Sequence, residues 1–168
     1  MHYYNYNKIL SYNCPVNVLI GERGVGKSYG AKNYVINQYT KKQSQFLYLR
    51  RYDNELKQVF EKDKNNQKDF FTDIRNSFPD ISLEAKNRKF YYNNNIFGFA
   101  NRMTASQDLK SGTFENIKTI IFDEYFIEKN KRYYLPNEGM LLLSIFDSII
   151  RNRSDIKIFI IGNAVPRH

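Results

Sequence analysis

The most specific chemistry in the chain lies in one short run. Gly21-Glu22-Arg23-Gly24-Val25-Gly26-Lys27-Ser28 fits the pattern G-x-x-x-x-G-K-[ST] at every fixed position. Glycines at 21 and 26 are expected to take backbone conformations closed to larger residues, so that amide hydrogens turn inward toward phosphate oxygens. The helix expected to follow adds its positive N-terminal end. Lys27 is then placed against the β- and γ-phosphates of ATP, and the Ser28 hydroxyl against Mg²⁺. Tyr29 closes the segment expected to bind nucleotide, 21–29. The competing reading is a glycine turn with an incidental Lys-Ser. An apolar run before the motif and a helical pattern after it favour the first reading.

A second group of candidates sits about 95 residues downstream, where Thr119-Ile120-Ile121-Phe122 ends in Asp123-Glu124. On a strand beside the glycine-rich loop, Asp123 would hold Mg²⁺ through water. Glu124, one residue on, would face the other way and orient or deprotonate an attacking water. A hydrolase needs this second acid, whereas many phosphotransfer enzymes do without it. Strands commonly end in acids, so the pair gains its meaning from the motif upstream.

Further candidates are weaker. Asn163 follows the last apolar run and is placed to sense a γ-phosphate, or it is a turn residue after Gly162. Arg151 and Arg153 close a helical pattern, where cations are stabilising in any case. The sharper reading is an arginine finger offered to a neighbouring subunit's ATP. Lys110 lies in a polar segment. Lys129, Lys131 and Arg132 follow the acidic strand, and Arg50 and Arg51 follow another. These last two sets would lie past the C-terminal ends of parallel strands, where ligands of open α/β sheets gather, whereas Lys110 reads as a solvated lysine. They would contact DNA phosphates or be solvated charge.

The elements that must position these residues follow from hydropathy. Apolar, β-branched runs at 16–20, 46–50, 119–122 and 156–161 read as buried strands. Helices are expected at 28–39, 54–62, 70–78 (stopped by Pro79) and 136–151. Short strands at 81–85, 89–92 and 96–100 suggest a small antiparallel, β-rich insertion around 80–102, with a turn at Asn93-Asn94-Asn95. Strands alternating with helices predict an α/β fold with a mostly parallel sheet flanked by helices.

Composition bounds the rest. The 168 residues suit one domain, 1–168, large enough to fold without a metal or disulfide staple. With 42% hydrophobic and 26% charged residues, the chain is not disordered throughout. It has 14 Tyr and 13 Phe but no Trp, so much of its core must be aromatic. The single cysteine, Cys14, excludes an internal disulfide. No apolar run is long enough to cross a membrane, and the N-terminus lacks the order of a signal peptide. A net charge of +9 attracts polyanions.

Several segments resemble the DNA-packaging (encapsidation) ATPases of phi29-type short-tailed phages. They are the glycine-rich motif through Tyr29, Tyr48-Leu49-Arg50-Arg51-Tyr52, Ile121-Phe122-Asp123-Glu124, Tyr134-Leu135-Pro136-Asn137-Glu138, Ile150-Arg151-Asn152-Arg153 and Asn163-Ala164-Val165. The resemblance implies a P-loop NTPase of the additional-strand catalytic-glutamate (ASCE) class. It implies a homo-oligomeric ring, a pentamer, on a phage prohead at the portal. There ATP hydrolysis drives double-stranded DNA inward, and a packaging RNA tethers the ring in several members. The setting implied is host cytoplasm, with transient residence on the prohead. Residue by residue, it places Lys27, Ser28, Asp123 and Glu124 on nucleotide and catalytic positions. Arg151 falls on a trans-acting arginine, Lys110 on a second basic residue near the neighbour's nucleotide, and Lys129 on a pore-facing lysine. Asp53 stands where the family carries another pore lysine, and the family's C-terminal nuclease-like domain lies outside these residues. The residues themselves leave two alternatives open: a small P-loop kinase, against which Glu124 speaks, and a nucleotide-switched nucleic-acid binder.

Overall fold

A computed structural model describes residues 4–60, 69–105, 115–127, 133–151 and 153–164. The elements, in chain order, are α1 (Tyr6–Ser11), β1 (Val16–Gly21), α2 (Lys27–Lys42), β2 (Gln45–Arg50), α3 (Asp53–Phe60), β3 (Leu83–Lys86), β4 (Lys89–Tyr92), β5 (Asn95–Arg102), β6 (Ile117–Phe122), α4 (Glu138–Ile150) and β7 (Lys157–Asn163). Short 3₁₀ turns stand at Arg75–Ser77 and Met103–Ala105.

The strands form one seven-stranded sheet in the order β1-β7-β6-β2-β5-β4-β3. The pairs from β1 across to β5 are parallel, and the last two are antiparallel. The chain is therefore α/β with a mixed sheet. The strands expected near 80–102 extend this sheet: β5 pairs in parallel with β2, and β4 and β3 add a meander at its edge. Strand β7, last in the chain, lies between β1 and β6.

Alternating side chains send two sets of apolar residues to opposite faces of the sheet. Tyr48, Ile121, Phe159 and Ile161 join Ala31, Val35 and Ile36 of α2 in one core. Leu47, Leu49, Ile120, Phe122, Ile158 and Ile160 join Leu142, Ile145, Phe146 and Ile149 of α4 in the other. The first core is aromatic, as the composition predicts. Phe46, Phe70, Phe71, Phe90 and Phe97 pack with centroids 4.6 to 5.9 Å apart. Gly98 admits this cluster, since a Cβ there would stand 2.2 Å from the Phe46 ring.

Three expectations need correction. Strand β1 is buried on one face only: Asn17 and Leu19 point inward while Val16, Val18 and Ile20 are exposed. It is an edge strand, and a continuous apolar run cannot tell an edge from a centre. The helix expected at 70–78 is a series of turns ending in the short 3₁₀ turn. Phe70, Phe71 and Ile74 are anchored in the aromatic core, and that packing overrides helical periodicity. Helix α1 was not foreseen. Its signal is Asn5, whose side chain accepts the Lys8 N–H at 3.1 Å as an N-cap.

Candidate functional site

The glycine-rich loop joins β1 to α2. Gly24 and Gly26 take φ of +82° and +81°, the left-handed region that disfavours a Cβ. Gly21 does not, contrary to expectation. It ends β1 opposite Asn163 in ordinary pairing, and its need is for space: a Cβ there would stand 3.2 Å from the Tyr4 ring. Lys27 opens α2 and is buried, its ammonium donating to the carbonyls of Gly21 at 2.8 Å and Glu22 at 2.5 Å. Burial lowers its pKa, with Asp123 opposing that shift.

Strand β6 delivers the acids. The Ser28 hydroxyl lies 3.4 Å from both oxygens of Asp123, and the Tyr48 hydroxyl donates to Asp123 Oδ2 at 3.1 Å. Burial pushes the Tyr48 pKa up, so its proton stays available to Asp123. One hydroxyl and one carboxylate suit a hard cation that keeps waters and takes its other oxygens from a ligand. Among the described residues no three His, Cys, Asp or Glu side chains cluster as a metal site by themselves.

Glu124 turns the chain with a φ of +57°, rare for a residue with a side chain. Its N–H donates to Asp123 Oδ1 at 3.0 Å and its carbonyl accepts from Arg51 Nη1 at 3.2 Å. The next residue, Tyr125, donates its N–H to Ile161 O at 2.9 Å, beside Gly162. A Cβ at Gly162 would stand 2.2 Å from the Phe126 ring, so the glycine allows this close approach. Glu124 and Asn163 thereby come to line the same cleft.

Lys27, Ser28, Glu124 and Asn163 share one cleft of about 1020 Å³, whose lining does not include Asp123, Gly21, Glu22 or Val25. Its lining includes Arg23, Gly24, Gly26, Lys27, Ser28 and Tyr29 of the expected segment, together with Glu124 and Asn163. It also includes Tyr4 to Asn7, Gly30, Asn33 and Asp73, which the motifs did not indicate. The run of tyrosines and asparagines at 4–7 was the available signal.

Arg50 and Arg51 correct another expectation. Neither is solvated charge: both are buried, at 6% and 1% exposure. Arg50 Nη2 donates to Glu124 Oε2 at 2.5 Å, with Asp123 and Glu55 each 3.9 Å from the guanidinium. Burial acts to lower the Arg50 pKa, but Tyr48, Glu124, Asp123 and Glu55 outweigh it and the net shift is upward. Arg51 bonds both oxygens of Glu138 at 2.7 Å and the Tyr125 carbonyl at 2.6 Å. It ties the start of α4 to the turn carrying Glu124. Two arginines ending a buried strand were the sequence signal, because buried charge requires partners.

Of the remaining candidates, Arg151, Arg153 and Asp53 do not line the cleft. Arg151 is the C-cap of α4, in the left-handed region. Glu138 at the other end of α4 meets Arg51, so Arg151 lies ~20 Å away along a helix rising ~1.5 Å per residue. Arg153 donates to the carbonyls of Glu115, Ile117, Ile149 and Ile150, fastening the end of α4 to the start of β6. Asp53 forms ion pairs with Arg88, Arg102 and Lys57. Lys110, Lys129, Lys131 and Arg132 lie outside the described residues. No helix among the described residues is long and apolar enough to cross a membrane.

Comparison with known proteins now adds to this geometry. A family model described as Podovirus DNA encapsidation protein (Gp16) matches residues 1–167. The DNA packaging protein of Bacillus phage phi29 is 40% identical over 163 residues, covering 97% of this chain and 47% of that protein. The chain spans about half the length of the curated relatives it matches. Among solved structures, the N-terminal domain of the DNA packaging ATPase from bacteriophage phi29 superposes with a TM-score of 0.83 at 39% identity. That match covers 97% of this chain and 80% of that one. The bacteriophage phi29 viral genome packaging motor assembly gives 0.84 at 40% identity, over 99% of this chain and 48% of that one.

Proposed function

This chain belongs to the podovirus DNA encapsidation (Gp16) family, and on that premise we propose that it is the ATP-hydrolysing part of a motor that packages double-stranded DNA into a phage prohead. The observation that carries the reading is the convergence of Lys27, Ser28, Glu124 and Asn163 on one cleft, from the ends of three different strands. The position of β7 between β1 and β6 supports assignment to the additional-strand catalytic-glutamate class of P-loop NTPases.

In this reading the loop amides and Lys27 hold the phosphates of ATP. Ser28 and Asp123 are the residues that would hold Mg²⁺, which when bound supplies neutralising charge to the phosphates. Glu124 orients a water and takes its proton as the water oxygen attacks the γ-phosphorus. The bond to the β,γ-bridging oxygen breaks, and ADP and phosphate leave. Asn163, on the adjoining strand, reports the γ-phosphate to the rest of the sheet. Arg151 caps the far end of α4 and does not line its own cleft, which supports its supply to a neighbouring subunit in a ring. The pentameric ring, the portal, the packaging RNA and the cytoplasmic setting belong to the same proposal. So do the DNA contacts of Lys129 and Lys131 and the role of Lys110 toward a neighbour's nucleotide. Such contacts grip phosphates without reading bases and weaken steeply with salt.

The test is the ATPase rate of the chain with and without double-stranded DNA, for the wild type and for Glu124→Gln. The expected result is DNA-stimulated turnover that Glu124→Gln abolishes while ATP binding persists. A wild-type chain that binds ATP and DNA yet never hydrolyses is a nucleotide-switched binder, and the motor reading fails.

A further inference from the structure

We propose that Tyr4 and Tyr6 are positioning residues of the phosphate loop: they form an N-terminal strap that holds the loop's carbonyls so that its amides face the ligand. This rests on the nucleotide reading above and concerns what keeps the glycine-rich loop in its binding shape. Three carbonyls in and around the loop accept from the strap. The Tyr4 hydroxyl donates to Ile20 O, and the Tyr4 N–H to Val25 O at 3.0 Å. The Tyr6 hydroxyl donates to Lys27 O at 2.5 Å. A trans peptide unit is planar, so its N–H points away from its C=O. Fixing Val25 O toward the strap therefore turns the Gly26 N–H to the opposite side, and fixing Lys27 O does the same for the Ser28 N–H. Amides at the start of a helix are the donors that a phosphate group uses.

Two glycines that no backbone angle requires are explained by the same tyrosines. Neither Gly21 nor Gly30 takes a positive φ. A Cβ at Gly21 would stand 3.2 Å from the Tyr4 ring, and one at Gly30 would stand 2.1 Å from the Tyr6 ring. Glycine inside a helix such as α2 is less stable there than alanine. Position 30 therefore gives up helix stability to seat the Tyr6 ring.

The strap is anchored on the sheet. Asn5 caps α1 by accepting the Lys8 N–H at 3.1 Å, and Ile9 and Leu10 pack against the aromatic core. The Tyr6 ring lies 5.6 Å from the ring of Phe159 in β7. Glycines 24 and 26 give the loop little rigidity of its own. Its shape is therefore borrowed from α1 and β7 through two phenols.

The test titrates Mg·ATP and Mg·tripolyphosphate calorimetrically into the chain and its Tyr4→Phe and Tyr6→Phe variants. Phenylalanine keeps each ring and removes only the hydroxyl. Tyr34→Phe is the control, because Tyr34 packs on the same Phe159 ring from α2 at 5.3 Å. Each strap variant is expected to bind both ligands about fivefold more weakly, as the loss of one hydrogen bond predicts. The control should bind them as the wild type does. A wild type that binds neither ligand overturns the nucleotide reading and the strap together. Unchanged affinity in one strap variant removes that residue from the strap. Unchanged affinity in both, even with a lower urea midpoint, marks a purely structural role; it overturns the strap and leaves the nucleotide reading standing. A loss confined to ATP, or an equal loss in Tyr34→Phe, overturns the strap in the same way. If Tyr6→Phe does not fold, Tyr4→Phe decides by the same outcomes.

Discussion

Arg50 donates to Glu124 Oε2 at 2.5 Å, from a guanidinium side chain 7% exposed to a carboxylate side chain 53% exposed. The proposed catalytic base is thus tethered from the interior by the residue that ends β2. A base held by a cation must be released, at least in part, before it takes a proton from water. Lysine at 50 would keep the charge among Glu55, Asp123 and Glu124 but lose the fork that reaches them. A hydrogen bond to a charged group contributes about 1.5–3 kcal/mol. Arg50→Lys is therefore expected to raise DNA-free hydrolysis about tenfold and to shrink the stimulation by DNA. An unchanged ratio of stimulated to basal rate would remove Arg50 from control of Glu124.

Arg151 caps the C-terminal end of α4 and does not line its own cleft, so its proposed role calls for a second subunit. Arg151→Ala and Glu124→Gln should each be inactive alone in the full-length protein. Mixed, they should recover part of the wild-type rate, because some interfaces then combine an intact arginine with an intact acid. No recovery across mixing ratios would rule out a trans arginine at this position.

Arg51 and Glu138 form a buried pair, at 1% and 9% side-chain exposure, that holds α4 to the turn after β6. Removing one partner strands the other charge in the interior, at a cost of about 3–5 kcal/mol. Glu138→Ala should lower the free energy of unfolding in urea by that order. A loss below ~1 kcal/mol would mean that water reaches Arg51 and that the pair does not anchor the helix.

Alkaline pH should weaken the fold. Tyr6, Tyr34 and Tyr48 all have pKa values raised above the ordinary 10.0, with burial the first cause for each. Above pH 10.0 the unfolded chain releases these protons while the folded chain keeps them, so the unfolded state binds fewer protons and stability falls as pH rises. The contribution is fully present below pH 10.0. Lys27 acts in the opposite sense below its ordinary value of 10.5, because its folded form loses its proton first. Three tyrosines against one lysine should leave a net decline in urea midpoint between pH 10 and pH 11. A flat midpoint would show that the phenols gain no protection from burial.

Where the motifs sit on the elements was largely legible in the sequence, because it depends on residues that are neighbours along the chain. The run from Gly21 to Ser28 bends where its glycines allow it, at Gly24 and Gly26, and Thr119 to Phe122 is buried before Asp123-Glu124 emerges. The buried strands β2, β6 and β7, and the helices α2 and α4, followed from local hydropathy in the same way. The partnerships did not. Arg50 with Glu124, and Arg51 with Glu138, join residues 74 and 87 positions apart. Whether those arginines were solvated or buried was decided by which strands became neighbours. The exposure of one side of β1, the cleft wall offered by Tyr4 to Asn7, and the position of Arg151 outside the lining of its own cleft were decided likewise. Backbone geometry and side-chain alternation are local properties that a sequence carries residue by residue. Which distant groups share a low-dielectric space is set only when strand order closes the sheet, and buried charge must then find its counterion there.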